Sequence, residues 1–251
     1  MPRDWDASTY DRIADPMTRW GTAVLDRLPL SRAERVLDAG CGSGRVTEHL
    51  VERLPDGHVV ALDGSPAMIQ AAGDRLARFG ERVTYVVADL GRPLPVDPPV
   101  DAVLSTATFH WVPDHDALFR NIAAVMRPGA WLVAQCGGVG NIANVVRTLA
   151  TIGDGWPGPA HFETPLATTR RLDAAGFVDI ECWLTDEPTR LDPGEPFETY
   201  LRTVVLGAHL ERLPPDEHDA FVRTVADGIG EPVIDYVRLN IVARRSGRSG
   251  R

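Results

Sequence analysis

Asp38-Ala39-Gly40-Cys41-Gly42-Ser43-Gly44 is the stretch on which the reading of the fold turns. It follows a short apolar run, Val36-Leu37, and precedes residues 46–54, whose patterning is helical and closes at Pro55-Asp56-Gly57. Glycines between a strand and a helix permit a tight turn and let a ligand approach the backbone. The dinucleotide fingerprint G-x-G-x-x-G would need glycine at position 45, which is Arg45; the spacing here is G-x-G-x-G, preceded by an acid.

Outward from this loop the alternation continues. Strands are predicted over 58–62, 83–87, 100–104 and 131–134, with helices over 66–79 and 115–126 between them. Near-continuous apolar strands separated by helices imply a parallel sheet buried on both faces, and right-handed crossovers wind it doubly. Ligands of such sheets bind outside the carboxyl ends of the strands. Beyond Gln135 the pattern loosens through glycines and prolines at 137–159. A helix ending at Gly176, a strand over 177–184, helices over 196–209 and 215–226, and a last strand over 233–243 complete the chain. The expectation is an α/β fold with a doubly wound, mostly parallel seven-stranded sheet, N-terminal helices over 9–28, and a helical cap inserted after the fifth strand. It occupies one domain over 1–243: N-terminal helices (1–30), a ligand-binding core (31–136), and cap segments with the last strands (137–243).

Composition narrows the chemistry. All 26 basic side chains among the 251 residues are Arg, so neither a lysine Schiff base nor a Walker-type phosphate loop is available. The net charge is −9, and four Arg lie in residues 244–251, read as a disordered basic tail. An acidic body is a poor platform for nucleic acid. Three widely spaced cysteines, Cys41, Cys136 and Cys182, suit a reducing compartment and form no metal-binding pattern. The polar N-terminus and the lack of any long apolar run predict a cytoplasmic protein without a membrane partner, as a monomer or homodimer.

Two further acids end predicted strands. Asp63 closes the second, where a carboxylate can accept both hydroxyls of a ribose; Ser65, directly before Pro66, is the better helix cap. Asp89 closes the third, suited either to an exocyclic adenine amine or to a turn before Gly91. Together with the glycine loop these residues resemble a class I S-adenosylmethionine-dependent methyltransferase, with its Rossmann-like methyltransferase fold. The resemblance implies that Gly40, Gly42 and Gly44 make room for the cofactor's methionine and ribose. Asp38 would stand near the methionine ammonium, Asp63 would bind the ribose, Met68 would pack on the adenine, and Asp89 would face its amine. Gly64, Ser65, Leu90, Ser105 and Tyr10 would complete the cofactor site. A nicotinamide-dependent oxidoreductase and a non-catalytic cofactor-binding protein are the alternatives.

After the fourth strand, residues 105–115 read STATFHWVPDH. This stretch, Trp5-Asp6 through Trp20-Gly21, and Asp235 to Asn240 resemble the small-molecule methyltransferases related to trans-aconitate methyltransferase. His110 and Gln135-Cys136-Gly137-Gly138 depart from that group's pattern. The implied acceptor is a small molecule, methylated on a carboxylate or a hydroxyl. Methyl transfer is an in-line displacement for which alignment is worth about 7–11 kcal/mol in favourable systems. A carboxylate needs no base; a hydroxyl or carbon acid does, and His110 is the best-placed candidate, its other reading being a packing residue beside Trp111. Trp111, Trp20 and Gln135 are expected in the substrate pocket, Tyr10 and Trp20 either closing over the cofactor or anchoring the N-terminal helices. Anionic acceptors would be held by arginine, with Arg12, Arg19, Arg147 and Arg202 the first positions to consider.

Overall fold

Successive residues of a strand point to opposite faces, so a strand apolar at every position must be covered on both sides. In the computed structural model, which describes residues 15–152 and 154–247, this is what happens. The strands are Arg35–Ala39 (β1), His58–Asp63 (β2), Val83–Val87 (β3), Val100–Thr106 (β4), Met126–Gly137 (β5), Phe177–Asp186 (β6), Thr189–Arg190 (β7), Val233–Ile234 (β8) and Val237–Arg245 (β9). Seven of them form one sheet in the order β3-β2-β1-β4-β5-β9-β6. β1 to β5 pair in parallel, and β9 lies antiparallel between β5 and β6.

The helices are Asp15–Leu25 (α1), Arg45–Arg53 (α2), Pro66–Leu76 (α3), His115–Ala124 (α4), Ala143–Leu149 (α5), Pro165–Ala174 (α6), Glu195–Tyr200 (α7), Gly207–Leu210 (α8) and His218–Ile229 (α9). Val36, Ala102, Leu104 and Val133 face one layer, with Val24 of α1, Leu50 of α2 and Leu76 of α3. Their sequence neighbours Leu37, Val103 and Leu132 face the other, with Leu118 and Ile122 of α4 and Leu172 of α6. Each fully buried leucine of these layers contributes about 1.5–3 kcal/mol. A third apolar cluster lies apart: Trp20, Val145, Leu149, Phe197, Tyr200, Leu206, Val222 and Tyr236 join α5 to the helices that follow β7.

The structure departs from expectation in three places. Only α5 and α6 separate β5 from β6, while α7, α8 and α9 come after β7, so the cap helices derive from two insertions rather than one after the fifth strand. The expected strand over 233–243 is divided: β8 pairs with β7 in a separate two-stranded ribbon, and β9 joins the main sheet. Finally, Arg244 and Arg245 belong to β9 and not to a tail. Arg244 lies over the Trp131 ring at 5.1 Å, and Arg245 Nη1 donates to Gly176 O at 2.8 Å. Residues 248–251 lie outside the described residues, as does most of the first predicted N-terminal helix.

The strand order reverses between β1 and β4. This is the point at which an open α/β sheet parts its connecting loops and leaves a crevice at its carboxyl edge.

Candidate active site

A cavity of about 540 Å³ occupies that crevice. Gly40 N and Cys41 N both donate to Leu62 O, which folds the loop after β1 across the end of β2. Gly40 sits at φ 90°, and a Cβ there would lie 2.1 Å from Thr108 Oγ1, so the loop and the segment after β4 touch through a bare backbone. Thr108 Oγ1 completes the contact by donating to Gly40 O at 3.2 Å. Gly42, at φ 53°, has open space where its Cβ would be and borders the cavity. Gly44, at φ 84°, is the N-cap of α2 and packs on Ala72 and Leu76 of α3.

Asp63, at the end of β2, is the most constrained acid on the cavity wall. Its Oδ2 accepts from Gly42 N and its Oδ1 from Ser65 N, both at 2.9 Å. Burial pushes its pKa up, against the pull of those amides. Gly64, Met68, Asp89 and Leu90 line the cavity beside it. Asp89 is exposed and turns one oxygen to Gly91 N at 2.8 Å. Asp38 is buried off the wall, where Thr47 Oγ1 donates to its Oδ2 at 2.7 Å and its Oδ1 has no hydrogen-bond partner. Burial first, and then the charge of Asp63, raise its pKa to about 7. Ser65 caps α3 by accepting from Met68 N at 3.2 Å, and Ser105 Oγ donates to Ala39 O at 2.6 Å. Gly44, Ser65, Ser105 and Asp38 therefore stand behind the cavity wall, next to residues that border it. Tyr10 and Arg12 lie outside the described residues.

His110 and Trp111 form a 3₁₀ turn, Phe109–Trp111, just past β4, and both reach the wall. His110 Nδ1 accepts from Gly137 N at 3.3 Å. Its ring stacks on Phe162, with centroids 5.9 Å apart. Burial, with the nearby Arg238 guanidinium and His115, holds its pKa well below the usual imidazole range. The ring is thus neutral; with Nδ1 accepting, Nε2 carries the proton. In this arrangement Nδ1 is occupied by Gly137 N and Nε2 is a donor.

Trp20 and Gln135 are not on the wall. Trp20 is buried in the third cluster, its Nε1 donating to Glu187 Oε2 at 3.1 Å and its ring edge on Tyr236. Gln135 lies in the sheet, its Nε2 donating to Asn240 Oδ1 at 2.9 Å. Arg19, Arg147 and Arg202 also stand off the cavity, paired with Glu187, Asp235 and Asp219 respectively. Among the described residues, the arginines that border it are Arg45 and Arg238. Residues 157–160 and Phe162 close one side with His209, whose Nε2 donates to Trp156 O at 3.0 Å. Sequence reading named the Asp235 to Asn240 segment without assigning Arg238 a role. No local signal marks it, because its place at the carboxyl edge comes from antiparallel pairing with Gly137.

The wall fits S-adenosylmethionine. Gly42 leaves its Cβ space open, Asp63 is a fixed carboxylate suited to a diol, Met68 is a soft apolar surface, and no basic cradle is needed because the cofactor has no phosphate. The fold and this cleft define a class I S-adenosylmethionine-dependent methyltransferase. Comparison with known proteins agrees. A methyltransferase domain model matches residues 36–129. The trans-aconitate 2-methyltransferase of Azoarcus sp. (strain BH72) is 31% identical over 96% of this chain and 99% of its own. The YcgJ protein of Bacillus subtilis has the same fold, with a TM-score of 0.68 at 14% identity over 92% of this chain and 99% of that one. Phosphoethanolamine N-methyltransferase 2 of Haemonchus contortus, solved with S-adenosylhomocysteine, gives a TM-score of 0.63 at 19% identity; it matches 96% of this chain, which spans 57% of that longer one. The chain belongs to the family of trans-aconitate 2-methyltransferase-like enzymes. Among the described residues no helix is long and apolar enough to cross a membrane, and no group of three or more His, Cys, Asp or Glu is arranged for a metal.

Proposed function

We propose that the protein methylates a carboxylate oxygen of a small polyanionic acceptor, with trans-aconitate, the acceptor its relatives are named for, as the first compound to test. The observation that carries this reading is the state of His110. The neutral ring accepts from Gly137 N at Nδ1, so its other nitrogen carries N–H, on a residue that borders the cavity. A hydroxyl acceptor would need a base where this side chain offers a donor. A carboxylate is already ionised and needs only to be held and aligned.

The bound cofactor supplies a methyl group activated on a sulfonium sulfur. In this reading Asp63 accepts the ribose hydroxyls, oriented by the Gly42 and Ser65 amides. Met68 packs on the adenine and Asp89 takes its amine. Trp111 and Phe162 exclude water from the acceptor's side. The test is labelled methyl transfer from S-adenosylmethionine to trans-aconitate, with mass spectrometry and mild alkaline hydrolysis of the product. A labelled methyl ester that alkali removes is expected; an alkali-stable methyl ether, or no ester at all, overturns the reading. Asp63→Asn is expected to raise the Kd for S-adenosylmethionine at least about tenfold, the scale of one lost hydrogen bond to a charged group, as measured by calorimetry.

A further inference from the structure

The cavity has a half built by the cap, and its side chains there are largely aliphatic. α5 and the turn that enters it bring Ile142, Val145 and Leu149 to the wall, at spacings of three and four that share one helical face. The insertion after β7 adds Val204, Val205 and Ala208. Val204 and Val205 lie in a π turn, Leu201–Val205, closed by Leu206 N donating to Leu201 O at 2.8 Å. Such turns recur at functional sites. Val145 and Leu149 are buried with Trp20, Phe197 and Tyr200 in the third cluster, so the wall is held from behind. The chamber thus forms where the two cap insertions meet.

This half of the wall suits a hydrocarbon better than an anion. Among the described residues the bordering arginines, Arg45 and Arg238, belong to α2 and β9 and not to the cap segments. Pro157 and Pro159 have no N–H, and His161 N, in the same segment, donates to His110 O at 2.7 Å. His209 donates from Nε2 to Trp156 O, and its buried Nδ1 has no hydrogen-bond partner. Burial lowers the pKa of this ring, so it is neutral and Nδ1 is a lone pair. A carboxylate set here would lose its water and meet a lone pair and methyl groups. A hydrocarbon chain gives up no hydrogen bond and gains its burial.

We propose a further activity: the cap half of the cavity receives a hydrocarbon tail, so that the protein also esterifies medium-chain monocarboxylates, with the tail among Val145, Leu149, Val205 and Ala208. The reaction rests on the carboxylate reading above; the tail chamber does not. In the reaction a carboxylate oxygen gives an electron pair to the methyl carbon, and the carbon–sulfur bond breaks with its pair left on sulfur. A methyl ester and S-adenosylhomocysteine result, with no proton to remove.

The experiment gives the whole protein labelled S-adenosylmethionine and straight-chain acids from butanoate to decanoate, each below its micelle concentration. Binding of the same acids to protein loaded with S-adenosylhomocysteine is followed by calorimetry. Both KM and Kd are expected to fall about fourfold for each added methylene, the scale of burying one such group, until the chamber is full. Ala208→Phe fills the chamber and is expected to penalise decanoate at least about tenfold more than butanoate. Val204→Ala enlarges it and is expected to move the best acid to a longer chain, a gain that a folding defect would not produce. Affinities that do not depend on chain length, or a length profile that neither variant shifts, overturn the chamber. Esters of trans-aconitate with none of any monocarboxylate overturn the further activity and leave the carboxylate reading standing. Length-dependent binding of the monocarboxylates without ester from them or from trans-aconitate overturns the carboxylate reading, and the activity with it, while the chamber stands.

Discussion

Two glycines of one loop do different work. Gly40 and Gly42 both hold positive φ, which costs an ordinary residue about 1–2 kcal/mol. At Gly40 a Cβ would also lie within 2.1–2.5 Å of three Thr108 atoms, in a contact that joins β1 to the segment after β4. At Gly42 it would meet nothing of the protein and would project into ligand space. Gly40→Ala is therefore expected to lower stability by about 2 kcal/mol or more, seen as a lower thermal midpoint in calorimetry. Gly42→Ala is expected to cost about 1 kcal/mol of stability but to lose S-adenosylmethionine affinity out of proportion. Equal effects on stability and affinity in the two variants would contradict this division. The glycine spacing and the acids at strand ends were legible in sequence because they are local: turn, strand end and helix start lie within a few residues. The state of His110 was not, since it depends on Gly137, 27 residues away. Nor was the cavity place of Arg238, which depends on which strand lies beside β5.

Elements with local punctuation were foreseen, and those held by distant partners were not. Asp114 is the N-cap of α4, its Oδ1 accepting from Ala117 N at 2.8 Å, and it is exposed. Asp114→Ala is expected to cost about 1 kcal/mol of stability by urea denaturation at unchanged slope, leaving cofactor affinity intact; a change in cofactor Kd would show that the turn behind it moved. α5 illustrates the opposite case. Its first residue follows Ile142 at φ 51°, a conformation costly for a β-branched side chain, on the cavity wall. The strain is held by Asp235, whose carboxylate accepts from Asn144 N at 2.9 and 3.1 Å and whose carbonyl accepts from Ile142 N at 3.1 Å. That same engagement lies in the break between β8 and β9, so the 233–243 run that reads as one strand becomes two. A cap 91 residues distant in sequence leaves no mark in either segment.

Over the whole molecule, two buried titratable groups at the carboxyl edge give stability opposite dependences on pH. Asp38 has a folded pKa of about 7 against an ordinary 3.8. Below pH 4 it is protonated in both states. Between pH 4 and 7 the unfolded chain gives up this proton first, so stability falls as pH rises, by up to roughly 4 kcal/mol, and is flat above 7. Asp63, also raised by burial, adds in the same direction. His110 is lowered, so its contribution is complete above the unfolded imidazole pKa, about 6.5, and is lost as pH falls below it. Between about pH 4 and 6.5 the two trends oppose each other, and the wild-type curve is flatter than either. Substitution separates them. Asp38→Asn keeps an acceptor for Thr47 Oγ1 and removes the buried charge, so its stability relative to wild type is expected to climb steadily from pH 4 to 7 and then level. His110→Gln is expected to lose stability relative to wild type near pH 8 but to recover part of that difference as pH falls through 6. Chemical denaturation at pH 4.5, 6, 7 and 8 reads both. A difference between Asp38→Asn and wild type that does not vary with pH would mean that Asp38 is ionised in the folded protein throughout. The pull of Thr47 on its carboxylate would then outweigh the cost of burying the charge.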